Sequence, residues 1–539
     1  MNRRSFLQLG AASSALAACS KLNWLETTPA VNYPGMREGH RLRDKQSLPL
    51  ASGEITTDVV ILGSGVAGLT AAWRLSQAGQ RNFLVVSGPE FGGNAAGGHF
   101  GDLTYPRGAH YLPLPSMEST HIREMLFDLG VILDNPNAEH PYFDEAAVVH
   151  APDERLFIDE QWQEGLIPTQ GVTTEDALQQ ARFFQYIEVL KGIHGSDGKK
   201  TFAVPLALSS MDEQWTKLDR ITFRQWLLEN GYTAEPLHWY LNYCCRDDYG
   251  MEYDKVSAWA GLYYFASRGG LARNAMEGAV LTWPDGLHTL VRRLTANIDK
   301  RVGAERSWQQ AGIAVEVSET KSGVTVLCAH DGGSGLRTFH INAKRAIVAM
   351  PLLIASRIVS GMNDYGFDHA IHMPSYAPWL VSNFLMKGFP RESKGAALSW
   401  DNVVYRGKGL GYVVSTHQNI RAAVPEKTVF SAYQTLSSQS PSEARRWLTQ
   451  AMPDALREEA ACDLDAIYGW RLWRHVEALD ITVRGHAMAS PLCGFRSNKG
   501  IDALRNIDGK ILFAHSDLSG LSVFEEAAWW GDKAARRIL

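Results

Sequence analysis

The clearest pattern along the chain is a change of period near residue 63. Thr57-Asp58-Val59-Val60-Ile61-Leu62 reads as an apolar strand that runs through Gly63-Ser64-Gly65-Val66-Ala67-Gly68 straight into a helix over Leu69-Thr70-Ala71-Ala72-Trp73-Arg74-Leu75. The helix is predicted to end at Ala78-Gly79, with residues 80–86 forming a second strand. Residues 281–291 read as a turn opening an amphipathic helix, succeeded by alternating strands at 313–317, 324–328 and 339–341 and by the run Ala346-Ile347-Val348-Ala349-Met350-Pro351. Helical periodicity dominates 176–192 and 442–461, whereas 466–474 reads as a strand.

Composition sets the scale of the molecule. With 539 residues, 45% hydrophobic and 21% charged, the chain buries a large core and exceeds what one compact domain usually holds. The 48 Gly and 22 Pro are near ordinary frequencies, which excludes collagen-like and low-complexity classes. A formal net charge of −5 gives no electrostatic support for a nucleic-acid partner, and none is expected.

The N-terminus carries its own signals. Arg3-Arg4-Ser5-Phe6-Leu7 resembles a twin-arginine export signal, and Leu16-Ala17-Ala18-Cys19 resembles a lipobox, in which Cys19 becomes the lipidated first residue. Residues 1–19 are therefore expected to direct export to the periplasm or cell envelope, with the membrane as a partner through Cys19. Residues 20–54, with Pro29, Pro34 and Gly35, are expected to form a tether. The remaining cysteines, Cys244, Cys245, Cys328, Cys462 and Cys493, have no CxxC or Cys/His spacing, so no metal site is expected and buried thiols are the default reading.

The strand–glycine–helix unit is the strongest chemical signal. Gly63 permits a tight turn, Gly65 lets the backbone approach a pyrophosphate, and Gly68 lets helix and strand pack closely. Ser64, Val66 and Ala67 lie in the same turn, where the helix N-terminus supplies free N–H groups. One element departs from the fingerprint: Val86-Ser87-Gly88-Pro89 stands where an acidic residue would bind the ribose, leaving Ser87 as one hydrogen-bonding group and Glu90 as the nearest carboxylate.

Beyond the second strand come Gly92-Gly93-Asn94, then Gly108-Ala109-His110, then near the C-terminus Phe513-Ala514-His515-Ser516-Asp517 with Phe524-Glu525-Glu526 opening a final helix. Together these segments resemble the flavin amine oxidase superfamily. The resemblance implies FAD as cofactor, held by those segments together with Val315 near the adenine, Asp517 and Glu526. It implies a discontinuous α/β Rossmann-type FAD-binding domain (55–115, 271–351 and 466–539) with an inserted α+β substrate domain (116–270 and 352–465). Asn94 departs from the arginine usual after the double glycine. The lysine that many members bridge through water to flavin N5 has no match in 375–386, where the first lysine is Lys387.

Four residues are candidates for the reacting centre. His110 lies on the flavin-side turn, Asn383 is the amide on the lysine-less strand, and Phe524 and Trp473 are read as the aromatic pair that flanks the substrate in the family. Tyr240, Tyr243, Tyr249, Tyr253, Trp259, Tyr263, Tyr264 and Phe265 form an aromatic-dense stretch that either lines a pocket or fills the core. The implied function is an exported FAD-dependent oxidoreductase taking a hydride equivalent from the C–N bond of a small amine or polyamine substrate, with oxygen or a quinone as acceptor. C–C dehydrogenation, flavin-dependent isomerisation and an FAD-containing assembly or binding role are the alternatives.

Overall fold

A computed structural model describes residues 27–333, 335–419 and 423–539. The signal read at residues 1–19, including Cys19, lies outside the described residues. The fold is α/β and is built on two sheets, one of seven strands and one of eight.

The seven-stranded sheet grows from the predicted unit. Strand β2 (Glu54–Leu62) pairs in parallel with β3 (Phe83–Val86), and helix α2 (Val66–Gln77) crosses between them. On its other side β2 pairs in parallel with β4 (Leu336–Val348), from His340↔Glu54 to Val348↔Leu62. The run read at 339–341 and the first part of that at 346–351, as far as Val348, are thus parts of one 13-residue strand. Its first part pairs antiparallel with Val324–Asp331, and its last three residues pair in parallel with Ile511–Phe513. Helix α3 (Phe524–Ile538) packs along α2, where a Cβ on Gly531 would stand 2.1 Å from the Ala67 carbonyl oxygen. Only glycine lets the two helices approach so closely.

The eight-stranded sheet carries the substrate half. Its centre is β5 (Tyr376–Lys387), paired antiparallel with Lys427–Gln434 on one side and with β6 (Val476–Ala489) on the other. Every residue of β5 is buried except Leu385, which is half-buried, and Lys387, which is exposed at the strand end. A second set of helices, including Glu235–Tyr249 and Ala258–Ala266, closes over this sheet around Trp259, Tyr249 and Phe223.

Several boundaries differ from the sequence reading, each for a packing reason. Residues 476–489 belong to the eight-stranded sheet rather than the dinucleotide domain, because β6 buries Leu479, Ile481 and Val483 against β5. Residues 466–474 are not a strand: a helix ends at Tyr468 and a 3-10 turn covers Gly469–Arg474. The segment 442–461 is two helices, Pro441–Gln450 and Pro453–Tyr468, because Pro453 lacks the N–H needed to continue the first. Thr120–Asp128 and Leu352–Ile358 pack into the Rossmann-side core through Ile122, Met125, Leu352 and Ile358, although both fall in the range read as substrate domain.

The expected tether is also structured over most of its described length. Strand β1 (Ala30–Asn32) adds in parallel to the free edge of β6, and Asn32 Nδ2 donates to Asp480 Oδ2 over 2.9 Å. Gly35 then turns in the left-handed region into helix α1 (Met36–Arg43). Farther on, Thr338 Oγ1 donates to the Pro49 carbonyl and the Ser52 amide donates to the Thr338 carbonyl, so the approach to β2 is held down as well.

Candidate functional site

The glycines of the β2–α2 turn are placed as the fingerprint requires. Gly63 has φ 118°, and a Cβ there would lie 2.3 Å from the Ala349 carbonyl oxygen. A Cβ on Gly68 would lie 1.9 Å from the Gly63 carbonyl oxygen, which is why only glycine fits between strand and helix. Gly65 is different: its Cβ would meet nothing within 4 Å, because it faces open space. That space is a cavity of about 780 Å³ running between the two halves of the molecule.

Gly63, Ser64, Gly65, Val66 and Ala67 form one wall of the cavity, with Ser87, Gly93, Asn94 and Ala109 continuing it. Gly92 and Gly93 both have positive φ, and Gly93 packs against Gly65. Gly108 is packing rather than lining: a Cβ there would stand 2.0 Å from the Asn94 carbonyl oxygen, which accepts the Ala109 amide over 2.8 Å. Asn94 Nδ2 donates to the Ala487 carbonyl at 2.7 Å, so this departure from arginine serves as a strut between the two sheets. Ser64 Oγ donates to the Ser87 carbonyl at 2.5 Å. Glu90 is not free to reach back to a ribose, because Oε2 is held at 2.7 Å by Arg484 Nη2.

At the far end, Asp517 lines the cavity and is 1% exposed. Burial would raise its carboxyl, but the neighbouring His515 and the donors Tyr376 Oη and Leu352 N outweigh it and hold the group below the ordinary carboxylate range. Oδ2 takes those two hydrogen bonds, whereas Oδ1 accepts none: it lies 3.1 Å from His515 Nδ1, which itself accepts the Asp517 amide. Phe524 opens α3 against the cavity, with Ser522, Val523 and Ala527 beside it. Sequence reasoning missed the lining segment of β6 from Val483 to Ala487, which includes Arg484 and His486. Burial, aided by Arg445 and Arg357, lowers His486 to about 4, so its ring is neutral.

Four expected site residues lie elsewhere. Trp473 sits on the 3-10 turn in the core beyond the eight-stranded sheet, where Nε1 donates to Asp465 Oδ1 at 3.0 Å. Asn383 is buried in β5 and internally satisfied: Nδ2 donates to the Pro106 carbonyl at 2.9 Å and Oδ1 accepts from Ser431 Oγ at 2.6 Å. Glu526 accepts from Leu206 N, Tyr263 Oη and Ser519 Oγ, pinning the substrate helices to α3 without facing the cavity. Val315 is displaced by a bulge between Ala314 and Glu316, and Ile313 and Ala314 form the wall in its place.

Beyond Ala109 the chain enters an aromatic cluster, or recess, in which His110, Tyr111, Tyr240, Tyr264 and Arg268 each keep part of their surface accessible. The His110 ring stacks on Tyr433 at 4.4 Å and stands 5.0 Å from Tyr111 and 5.7 Å from Trp400; burial lowers it to about 3, so it is neutral. Tyr240, Tyr264 and Arg268 adjoin Tyr111, with the Arg268 guanidinium 3.9 Å over the Tyr264 ring and paired to Asp248. The aromatic stretch therefore divides: Tyr240, Tyr264 and Phe265 keep accessible surface, whereas Tyr243, Tyr249, Trp259 and Tyr263 are core.

Three carboxyls with no ion-pair partner of their own among the described residues adjoin these rings: Asp247 beside Tyr111, Glu154 near Tyr240 and Asp401 near Tyr433. Asp401 and Glu154 stand in register on adjacent parallel strands, and Asp247 lies close enough to repel both. Packing of the surrounding protein raises all three: Asp247 to about 7 with Asp248 adding repulsion, Glu154, which keeps an exposed edge, to about 7 with Asp153 and Asp247 adding repulsion, and Asp401 well above its usual range with Glu154 and Asp247 adding repulsion. Such groups are poised to ionise when a positive charge enters.

Residues 61–129 match the NAD(P)-binding Rossmann-like domain family. A thiamine thiazole synthase of Aeropyrum pernix is 47% identical over 47 residues, which is 8% of this chain and spans only 17% of that enzyme's length. Among solved structures, a wild-type putrescine oxidase bound to putrescine superposes with a TM-score of 0.59 at 16% identity, over 90% of this chain and 99% of that one. The fold is the two-domain fold of the amine oxidases. Cyclohexylamine oxidase from Brevibacterium oxydans gives 0.55 at 17% identity over 89% and 98% of the two chains. A fatty acid isomerase from P. acnes, described as producing CLA, gives 0.57 at 15% identity over 90% and 99%.

The cleft fits a flavin dinucleotide. Its length joins the glycine turn to the start of α3, Gly65 leaves room for a pyrophosphate, and Asp517 Oδ1 offers an unfilled acceptor. His40, Arg357, Arg445, Arg446 and Arg484 along the walls outnumber Glu38, Glu90 and Asp517, matching a dianionic linker.

Proposed function

We propose that this chain is an FAD-dependent oxidoreductase that accepts a small cationic amine in the aromatic recess. The observation that carries this reading is the set of carboxyls, Glu154, Asp247 and Asp401, in no ion pair among the described residues, with Asp247 hydrogen-bonded by Tyr111, two residues past the cleft-lining Ala109. FAD, when bound, supplies the acceptor for a hydride equivalent from the substrate's C–N bond.

The protein groups then have separable tasks. The carboxyls bind and orient the ammonium end, and Tyr111, Tyr264 and Tyr433 exclude water from it. Neutral His110 adds no repelling charge between recess and cleft. Phe524 and Ala487 both line the cleft, Phe524 as its aromatic group at the start of α3. Tyr376 and Leu352 fix Asp517 as an acceptor for the cofactor.

A fatty acid isomerase shares the fold, but an anionic carboxylate end would meet repulsion from the recess acids. The twin-arginine-like and lipobox-like segments at Arg3-Arg4 and Cys19 extend the proposal to a lipid-anchored envelope enzyme with oxygen or a membrane quinone as the electron acceptor. The deciding experiment is anaerobic titration of the FAD-loaded protein with mono-, di- and polyamines, monitored by flavin absorbance. Bleaching by an amine supports the reading. A flavin that dithionite bleaches and no amine does overturns the amine assignment and returns C–C oxidation or isomerisation to the front.

A further inference from the structure

The Rossmann turn lacks its ribose carboxylate, yet a carboxylate reaches the same cleft from outside the domain. Helix α1 lies across the cavity that Ser64, Gly65, Ser87 and Pro89 line. Met36, Gly39, His40 and Arg43, spaced as one helix face, all line it, and Glu38 borders that face. Gly39 would place a Cβ within 4 Å of nothing, so the helix backbone itself fronts open space.

The helix is anchored rather than laid on loosely. Its leading strand β1 pairs with β6 from Ala30↔Asp480 to Asn32↔Thr482. A Cβ on Gly35, just before α1, would lie 3.1 Å from Pro89 Cγ, which fixes the start of the helix beside the end of β3. That is where a Rossmann-bound dinucleotide presents its adenosine ribose.

The two carboxylates near that point differ in availability. Glu90 is held by Arg484 at 2.7 Å. Glu38 is half-buried and has no hydrogen-bond or ion-pair partner among the described residues. Arg43 is already paired to Asp44 at 2.7 Å, leaving His40 as the basic group on this face of α1 available to phosphate.

We propose that α1 is a cofactor-binding element in which Glu38 accepts the adenosine ribose hydroxyls of FAD, a role for which the turn itself offers only the Ser87 hydroxyl, and His40 faces the pyrophosphate. This rests on the reading of the cleft as an FAD site. The N-terminal strap thereby joins the dinucleotide domain functionally while its strand belongs to the opposite sheet.

The test is reconstitution of the full-length chain, stripped of flavin and held in detergent, with FAD and separately with FMN, which lacks the adenosine half. Flavin fluorescence gives both dissociation constants, and a thermal melt of the apo protein gives the folding control. Glu38→Gln is expected to weaken FAD about tenfold, the loss expected for hydrogen bonds to a charged acceptor, with FMN affinity and the apo melting temperature unchanged. His40→Ala is expected to weaken FAD less, with a loss that shrinks at high salt. Unchanged FAD affinity in Glu38→Gln overturns the role of α1 while leaving the FAD reading intact. Equal weakening of FAD and FMN, or a lowered apo melting temperature, overturns it as well. A parent chain that binds no FAD sinks both readings together.

Discussion

Tyr111 and Asp247 tie the cofactor turn to the acidic recess: the Tyr111 hydroxyl, one residue past His110, donates to Asp247 Oδ2 at 3.2 Å. Burial and the adjacent Asp248 push the Asp247 carboxyl up, and Arg268 and this hydrogen bond pull it partly back, to about 7. Tyr111→Phe removes one donor to the charged form. The Asp247 carboxyl is then expected to titrate higher, moving the pH dependence of amine binding toward alkaline pH and weakening binding at neutral pH by about tenfold. Dissociation constants measured across pH by flavin perturbation check this; a profile that stays in place would separate Asp247 from the substrate.

The recess also sets the sign of two pH effects. Glu154 and Asp247 titrate near 7 in the folded chain against ordinary values of 4.5 and 3.8, so between those values the native state holds protons that the unfolded chain has released. Their contribution to stability is present at low pH and is lost as pH rises through 7. Amine affinity runs the other way, rising through pH 7 as the carboxylates ionise. Thermal melts from pH 5 to 8 are expected to show a decline that a bound polyamine reduces, and Asp247→Asn is expected to flatten it.

Much of the cofactor cleft is legible in the sequence, and the limits are physical. The β2–α2 turn, Asp517 and Phe524 fall where their local motifs put them, because each glycine contact and each strand end is decided within a few residues. Trp473 and Glu526 fall away from the cleft because tertiary pairing decides them: Trp473 continues from a helix end into the core, and Glu526 satisfies donors from residues 206, 263 and 519. The recess shows in the sequence only as an aromatic-dense stretch. Glu154, Asp247 and Asp401 come from distant parts of the chain, and nothing in local spacing brings them together.

Two glycines of one motif are expected to fail in different ways. Gly63→Ala drives a Cβ against the Ala349 carbonyl oxygen at 2.3 Å with φ at 118°, so the fold itself is strained, at a cost of about 1–3 kcal/mol. Gly65→Ala meets no protein atom within 4 Å. The first is expected to lower the melting temperature of the apo protein by several degrees, and the second to leave it unchanged while weakening FAD. Equal effects of the two on apo stability would mean that Gly65 does not face the dinucleotide.

Trp473 and Phe524, expected as a pair, are predicted to part company under truncation. Trp473 packs on Phe384 with ring centroids 6.3 Å apart and donates to Asp465, inside the core beyond the eight-stranded sheet. Trp473→Ala should therefore cost about 3–5 kcal/mol of stability while the folded fraction keeps the flavin spectrum and the kcat/KM of the parent. Phe524 lines the cleft at the start of α3 and is 7% exposed, so Phe524→Ala should shift the spectrum of bound flavin and lower kcat/KM with a smaller effect on folding. Differential scanning fluorimetry beside stopped-flow reduction separates the two. A Trp473→Ala protein that melts like the parent but reduces its flavin more slowly would restore this tryptophan to the reacting centre.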